Sequence, residues 1–140
     1  SQLGKMLDFE VTVIDDRSEY ANSSNLPFAD RIITGPVGRS MEEIEKGNDT
    51  YIVIVTRGHM DDGDALKACI GSDAAYIGMI GSKTKVALMR REFMEKRLAN
   101  SEQWDRIYAP IGIEISSKTV EEIAVSIAAQ LIKVRSSRKV

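Results

Sequence analysis

Short runs of β-branched and other apolar residues alternate along the chain with segments whose apolar positions recur every three or four residues. That alternation predicts parallel strands joined by crossover helices. Four runs read as strands: Phe9 to Ile14, Arg31 to Thr34, Tyr51 to Thr56 and Ala75 to Ile80. The third is apolar at nearly every position, which predicts a strand covered on both faces, as in an α/β sheet. A weaker fifth run, Arg106 to Ala109, is stopped by Pro110, whose missing N–H favours a strand end or an edge.

Capping chemistry marks the helices. Ser40-Met-Glu-Glu43 has capping-box spacing and predicts a short helix ending near Gly47. Asp61 or Asp62 is placed to cap a helix through Ile70, and Ser82 to cap a longer one from Lys83 to about Leu98. In the latter, Val86, Met89 and Phe93, with Ala87 and the stem of Arg97, form the expected inward stripe, leaving Lys85, Arg90, Arg91 and Lys96 outside. Thr119-Val-Glu-Glu122 is a second capping box. It opens a helix whose Val120, Ile123, Ala124, Ile127, Ala128, Leu131 and Ile132 share one face, followed by a basic tail from Arg135 expected to fray.

Composition narrows the class. The 140 residues, 43% hydrophobic and 29% charged with three prolines, suit a single globular domain over residues 1–140 and exclude collagenous or wholly disordered chains. Nineteen basic against twenty-one acidic residues give a net charge of -2, so no overall field draws the chain to nucleic acid or anionic lipid. One cysteine, Cys69, excludes an internal disulfide framework and reads as buried packing; with no apolar run near the roughly 20 residues of a membrane span, a cytoplasmic protein is expected. The methionines, Met60 and Met79 among them, read as packing filler.

Ligands of parallel α/β sheets gather at the carboxyl ends of strands, where loops lead into helix N-termini with free N–H groups. After the first run, Asp15 can accept hydrogen bonds from ribose hydroxyls and Arg17 can meet a phosphate; a turn-capping Asp pair is the alternative. After the third, Thr56, Arg57, Gly58 and His59 precede Asp61 and Asp62, with Gly58 expected to allow a tight turn and close ligand approach. His59 with the two aspartates falls short of a metal signature, and a histidine bonded to a local carboxylate is the plain alternative. After the fourth, Gly81-Ser82-Lys83 leads straight into a helix and, with a hydroxyl and the two ammonium groups of Lys83 and Lys85, forms an anion-site candidate, although neither a P-loop nor a dinucleotide fingerprint is present. Gly112, Ser116 and Ser117 are candidates for the same rim. No residue is assigned a catalytic role and none a metal.

A dinucleotide-binding unit begins with a strand and a glycine-rich turn before its first helix. Here Gln2 to Asp8 reads as the end of that helix, so the sheet is expected to lack its central member, with two inner edges unpaired. Either a truncated or processed chain closed by rearrangement, or strand and helix exchange within an oligomer, is expected.

Val13-Ile-Asp-Asp-Arg17, Phe28-Ala-Asp30, Thr56-Arg-Gly-His59, Tyr76-Ile-Gly-Met-Ile-Gly-Ser-Lys83, Pro110-Ile-Gly-Ile-Glu-Ile115 and Glu121-Glu-Ile-Ala-Val-Ser-Ile127, in that order, resemble the C-terminal Rossmann-like domain of the xanthine dehydrogenase accessory (XdhC/CoxI) family. The resemblance implies a three-layer Rossmann-like parallel sheet with helices on both faces. It implies a maturation factor for molybdenum hydroxylases that binds molybdenum cofactor, supports its sulfuration and delivers it to the apoenzyme, with a sulfur-donor enzyme and a homo-oligomer as further partners. By position it places cofactor contacts at Asp15 and Arg17, Thr56 to His59, and Gly81 to Lys83. The family's cysteine-bearing N-terminal segment is not in this sequence, and Ser116-Ser117 stand where the family commonly has glycine and alanine. An oxidoreductase or nucleotide-sensing domain using NAD or NADP is the competing reading, and a ligand-free interaction scaffold a third.

Overall fold

The computed structural model describes residues 1–138. Helix α1 (Gln2–Met6) precedes strands β1 (Thr12–Asp15) and β2 (Arg31–Thr34). Then come α2 (Val37–Glu43), β3 (Tyr51–Ile54), α3 (His59–Cys69), β4 (Tyr76–Met79), α4 (Lys83–Glu95), α5 (Ser101–Asp105) and α6 (Val120–Ser137). Both strand pairings are parallel, Thr12 to Asp15 against Arg31 to Thr34 and Tyr51 to Ile54 against Tyr76 to Met79. The two pairs are separate two-stranded sheets. In Rossmann order a further strand lies between β1 and β3, so the expected central gap is present. The fifth run contributes one parallel bridge, Gly78 to Tyr108, before the cis Ala109-Pro110 bond.

The second pair of strands carries the core. On one face Ile52, Ile54, Ile77 and Met79 pack with Leu66 and Cys69 of α3, Met89 and Phe93 of α4 and Trp104 of α5. Each such side chain, when fully buried, contributes roughly 1.5–3 kcal/mol. On the other face Tyr76 packs with Leu131 and Val134 of α6, flanked by Phe9, Tyr51, Ile111 and Ile127. Gln130 ties this layer together: its Oε1 accepts from the Tyr76 hydroxyl at 2.6 Å and from Gly112 N at 2.9 Å, and its Nε2 donates to Gly112 O at 3.2 Å. Gly112 sits at φ +96° with Ser126 where a β-carbon would be, so only glycine lets the chain approach α6 there. It belongs to this packing against α6, next to Ile111, whose N–H donates to Met79 O at the carboxyl end of β4.

Several boundaries differ from expectation. Helix α2 starts after Pro36, whose φ of -56° already suits a helix; Ser40 is buried within it, and extended Ile44 ends it before Gly47. Helix α3 starts at His59, a half-turn or more before the expected aspartate cap. Asp62 instead folds back from the first turn to hold Thr56. Ser82 does cap α4, accepting from Lys85 N at 3.2 Å, but the helix ends at Glu95 and Arg97 turns away at φ +55°, so Arg97 and exposed Ala87 leave the inward stripe. The short α5 has no counterpart among the expected elements; Asn100 and Gln103 form its reciprocal cap.

The Thr119 and Glu122 cap of α6 forms as expected. Its buried residues are Ser126, Leu131 and Val134, whereas Val120 is 78% exposed in the first turn and Ile132, one step round from Leu131, faces out. The helix continues through Ser137 because Arg135 donates to Leu7 O at 2.6 Å and lies over the Phe9 ring, which holds the segment expected to fray. Lys139 and Val140 lie outside the described residues. Met60 is exposed and so is not filler, while Met79 is core. The third run is not covered on both faces: Val53 is 37% and Val55 51% exposed, on the side opposite Ile52 and Ile54. Among the described residues no helix is long and apolar enough to cross a membrane.

No residue of β1 or β2 is fully buried, although Val13, Ile14, Ile32 and Ile33 are apolar. A two-stranded ribbon with no fully buried residue, touching the main core only through partly buried Ile14, opens at low free energy. Hydrogen exchange followed by mass spectrometry is therefore expected to show faster exchange in residues 12–15 and 31–34 than in residues 51–54 and 76–79. Equal protection in the two pairs would contradict this account.

Candidate functional site

Because β3 and β4 are parallel, their carboxyl ends leave the sheet on the same side. The chain after β3 runs Val55 to Gly58 and enters α3 at His59; after β4 it runs Ile80 to Ser82 and enters α4 at Lys83. The first N–H groups of each helix lack intrahelical partners, and both helix N-termini carry partial positive charge. Gly81, at φ +150°, makes the turn into α4 in a conformation that disfavours side chains. Gly58 is extended at φ -155° with nothing within 4 Å of an added β-carbon, so the expected tight turn is not what requires glycine there.

These turns enclose a cavity of about 220 Å³. Thr56, Arg57, Gly58, His59 and Asp62 line it from the first loop and helix; Met79, Gly81, Ser82, Lys85, Val86 and Met89 line it from the second. The imidazole and the glycine-serine corner therefore share one site. His59 Nε2 lies 3.2 Å from Glu92 Oε2 on α4, a half-exposed pair linking the two helices, and it bonds neither neighbouring aspartate. Among the described residues no cluster of three His, Cys, Asp or Glu side chains is placed to hold a metal. Cys69 is buried on the core face of α3, where burial pushes its thiol up to about 12 and keeps it protonated.

Asp62 is buried at 8% exposure. Its Oδ1 accepts from Thr56 N at 3.1 Å and from the Thr56 hydroxyl at 2.5 Å, fixing the exit of β3 against the first turn of α3. Burial pushes this carboxyl up, and the two Thr56 bonds pull the other way. Sequence reasoning takes Asp62 for a helix cap and counts Lys83 and Lys85 together as the ammonium groups of the anion corner, of which only Lys85 lines the cavity.

Asp15 and Arg17 stand apart from the cavity lining and are engaged with each other. Arg17 donates through Nε at 2.9 Å and through Nη2 at 2.8 Å, and its backbone N bonds the same carboxylate at 2.9 Å. The guanidinium also lies over the Tyr20 ring. This is the turn-forming alternative, although Arg57 is near enough for its charge to act on Asp15, so the two loops are neighbours. Lys83 is exposed at the start of α4 and does not line the cavity; Ser116 and Ser117 lie outside it as well. A more open concavity of about 510 Å³ lies between α2 and α3, but Asp16, Glu42, Asp61 and Asp64 outnumber Arg39 and Lys67 there, an adverse balance for an anion.

A family model described as the XdhC Rossmann domain matches residues 1–131. A protein of Escherichia coli K12 called uncharacterized protein YqeB is 29% identical over 138 residues, which are 98% of this chain and 25% of that protein. A Bacillus subtilis 168 protein described as a probable xanthine dehydrogenase subunit is 28% identical over 127 residues, 91% of this chain and 36% of that one. A crystal structure described as a xanthine dehydrogenase from Bacillus halodurans superposes with a TM-score of 0.85 at 28% identity, over 99% of this chain and 39% of that one. The chain thus spans about a quarter to two fifths of the length of these proteins.

The Asp15 carboxyl, held by the Arg17 guanidinium, titrates at about 2 where 3.8 is ordinary. A folded value below the unfolded one means stability present above the ordinary value and lost as pH falls toward about 2. NMR titration of Arg17→Gln is expected to return the Asp15 midpoint toward 3.8, the ordinary value; a midpoint that stays low in the variant would contradict the pairing.

Proposed function

Because this chain belongs to the XdhC Rossmann-domain family, we propose that it is the phosphate-gripping domain of an accessory factor that matures molybdenum hydroxylases of the xanthine dehydrogenase kind. The observation that carries this reading is the convergence of Arg57, Ser82, Lys85 and two helix N-termini on one cavity. Guanidinium, ammonium, hydroxyl and first-turn amides are the donor set that phosphate takes. At about 220 Å³ the cavity is smaller than the ~300–1,000 Å³ typical for whole ligands, so it fits the phosphate end of a cofactor and leaves the remainder outside.

Molybdenum cofactor meets these requirements through its pterin phosphate, and when bound it supplies the metal and sulfur chemistry itself. Arg57 and Lys85 neutralise the phosphate, Ser82 and the start of α4 orient it, and the His59 and Glu92 pair keeps the two helices at a set separation. Met79, Val86 and Met89 form an apolar wall that excludes water on one side. In this reading the domain assists sulfuration and hands the cofactor to the apoenzyme with a sulfur-donor enzyme as partner, and performs no bond-making step. NAD or NADP presents the same phosphate chemistry, so the competing nucleotide reading is separated by direct comparison of ligands.

Calorimetry with molybdenum cofactor, NAD, NADP and AMP tests the proposal. Arg57→Ala and Lys85→Ala are each expected to weaken binding of the favoured ligand by about 1.5–3 kcal/mol, roughly ten- to a hundredfold, the usual cost of one charged hydrogen bond. Lys83→Ala, outside the cavity, is expected to change it less than about threefold. Unchanged affinity in both cavity variants would overturn the reading.

A further inference from the structure

A site built only for phosphate has no use for a buried carboxylate, because its charge repels the ligand. Asp62 nevertheless lines the cavity at 8% exposure, together with Arg57, His59, Ser82 and Lys85. Both bonds that hold it in place end on Oδ1. The other oxygen, Oδ2, has no hydrogen-bond partner among the described residues, and it is not sealed from the cavity as a buried unsatisfied atom would be. An oxygen on a mostly buried carboxylate that opens to the cavity and has no protein donor is an acceptor that a bound ligand can take over from water.

We infer that Asp62 is the specificity-determining residue of this cavity, its free oxygen selecting phosphorylated ligands that carry a hydroxyl or N–H donor beside the phosphate over phosphate alone. This rests on the phosphate reading above and adds a polar discriminator to it. Thr56 acts as the positioning residue: two bonds from one residue occupy Oδ1 and leave Oδ2 as the only free acceptor of that carboxylate. The preference arises because a ligand that covers this oxygen without a donor displaces its water and leaves it unmatched, whereas one that supplies the donor replaces that hydrogen bond. A carboxyl that burial pushes up gains more from such a donor than an exposed aspartate does. Sugar hydroxyls and pterin ring N–H groups both satisfy this chemistry.

The test compares inorganic phosphate, ribose 5-phosphate and a pterin phosphate by calorimetry on the wild-type protein, Asp62→Asn and Thr56→Val. The wild type is expected to bind at least one of the two donor-bearing probes tenfold or more tightly than inorganic phosphate, and which one tells sugar from pterin. Asp62→Asn keeps an oxygen for Thr56 but presents an amide to the ligand; it is expected to abolish the preference while phosphate binds as well as before or better. Thr56→Val frees Oδ1 from the hydroxyl and is expected to reduce the preference at least threefold, which decides the matter if Asp62→Asn does not fold. Phosphate binding with no preference, or a preference that survives in a folded Asp62→Asn or in Thr56→Val, overturns the inference and leaves the phosphate reading standing. Failure of all three probes to bind the wild type overturns both.

Discussion

Parallel pairing of β3 with β4, Tyr51 against Tyr76 through Ile54 against Met79, is the constraint on which the molecule depends. Parallel neighbours cannot be joined by a hairpin, so the chain must cross back over the sheet through α3. That crossover brings the start of α3 and the start of α4 to the same end of the sheet. The buried faces of Ile52, Ile54, Ile77 and Met79 against Leu66, Met89 and Phe93 hold both helices in that position. The apolar core and the polar cavity are therefore consecutive parts of the same strands: Met79 belongs to both.

The other half of the sheet shows what happens without such support. β1 and β2 pair with each other and bury no residue fully, and β3 leaves Val53 and Val55 open on one face. A strand lying between β1 and β3, as Rossmann order has it, would pair both inner edges. Asp15 and Arg17 stand at the end of this less supported ribbon and satisfy each other. The loops after β3 and β4 rest on the packed half, and that is where the cavity has formed.

Much of this is legible in the chain. The four strands, the caps at Ser82 and Thr119 and the break in the sheet between β1 and β3 follow from local chemistry and from rules of sheet order. What escapes is set by tertiary contacts. Asp62 has the residue type and position of a cap, but the nearby Thr56 amide and hydroxyl draw it backward and the helix begins earlier. Arg135 looks like part of a solvated basic tail until Leu7 and Phe9, more than a hundred residues earlier, are seen beside it. For the site, the participating loops are recognisable, but the choice of Lys85 over Lys83 depends on rotation around α4, which begins only where the cap places it. The pairing of His59 with Glu92 joins residues 33 positions apart and leaves no local mark.

Backbone NMR of the protein titrated with a phosphate-bearing ligand tests the central claim most directly. Saturable shifts are expected in the amides of both Gly58 to Asp61 and Ser82 to Lys85 at one common midpoint, with the ends of β1 and β2 changing little. Shifts confined to one of these turns, or centred on the concavity between α2 and α3, would contradict that claim.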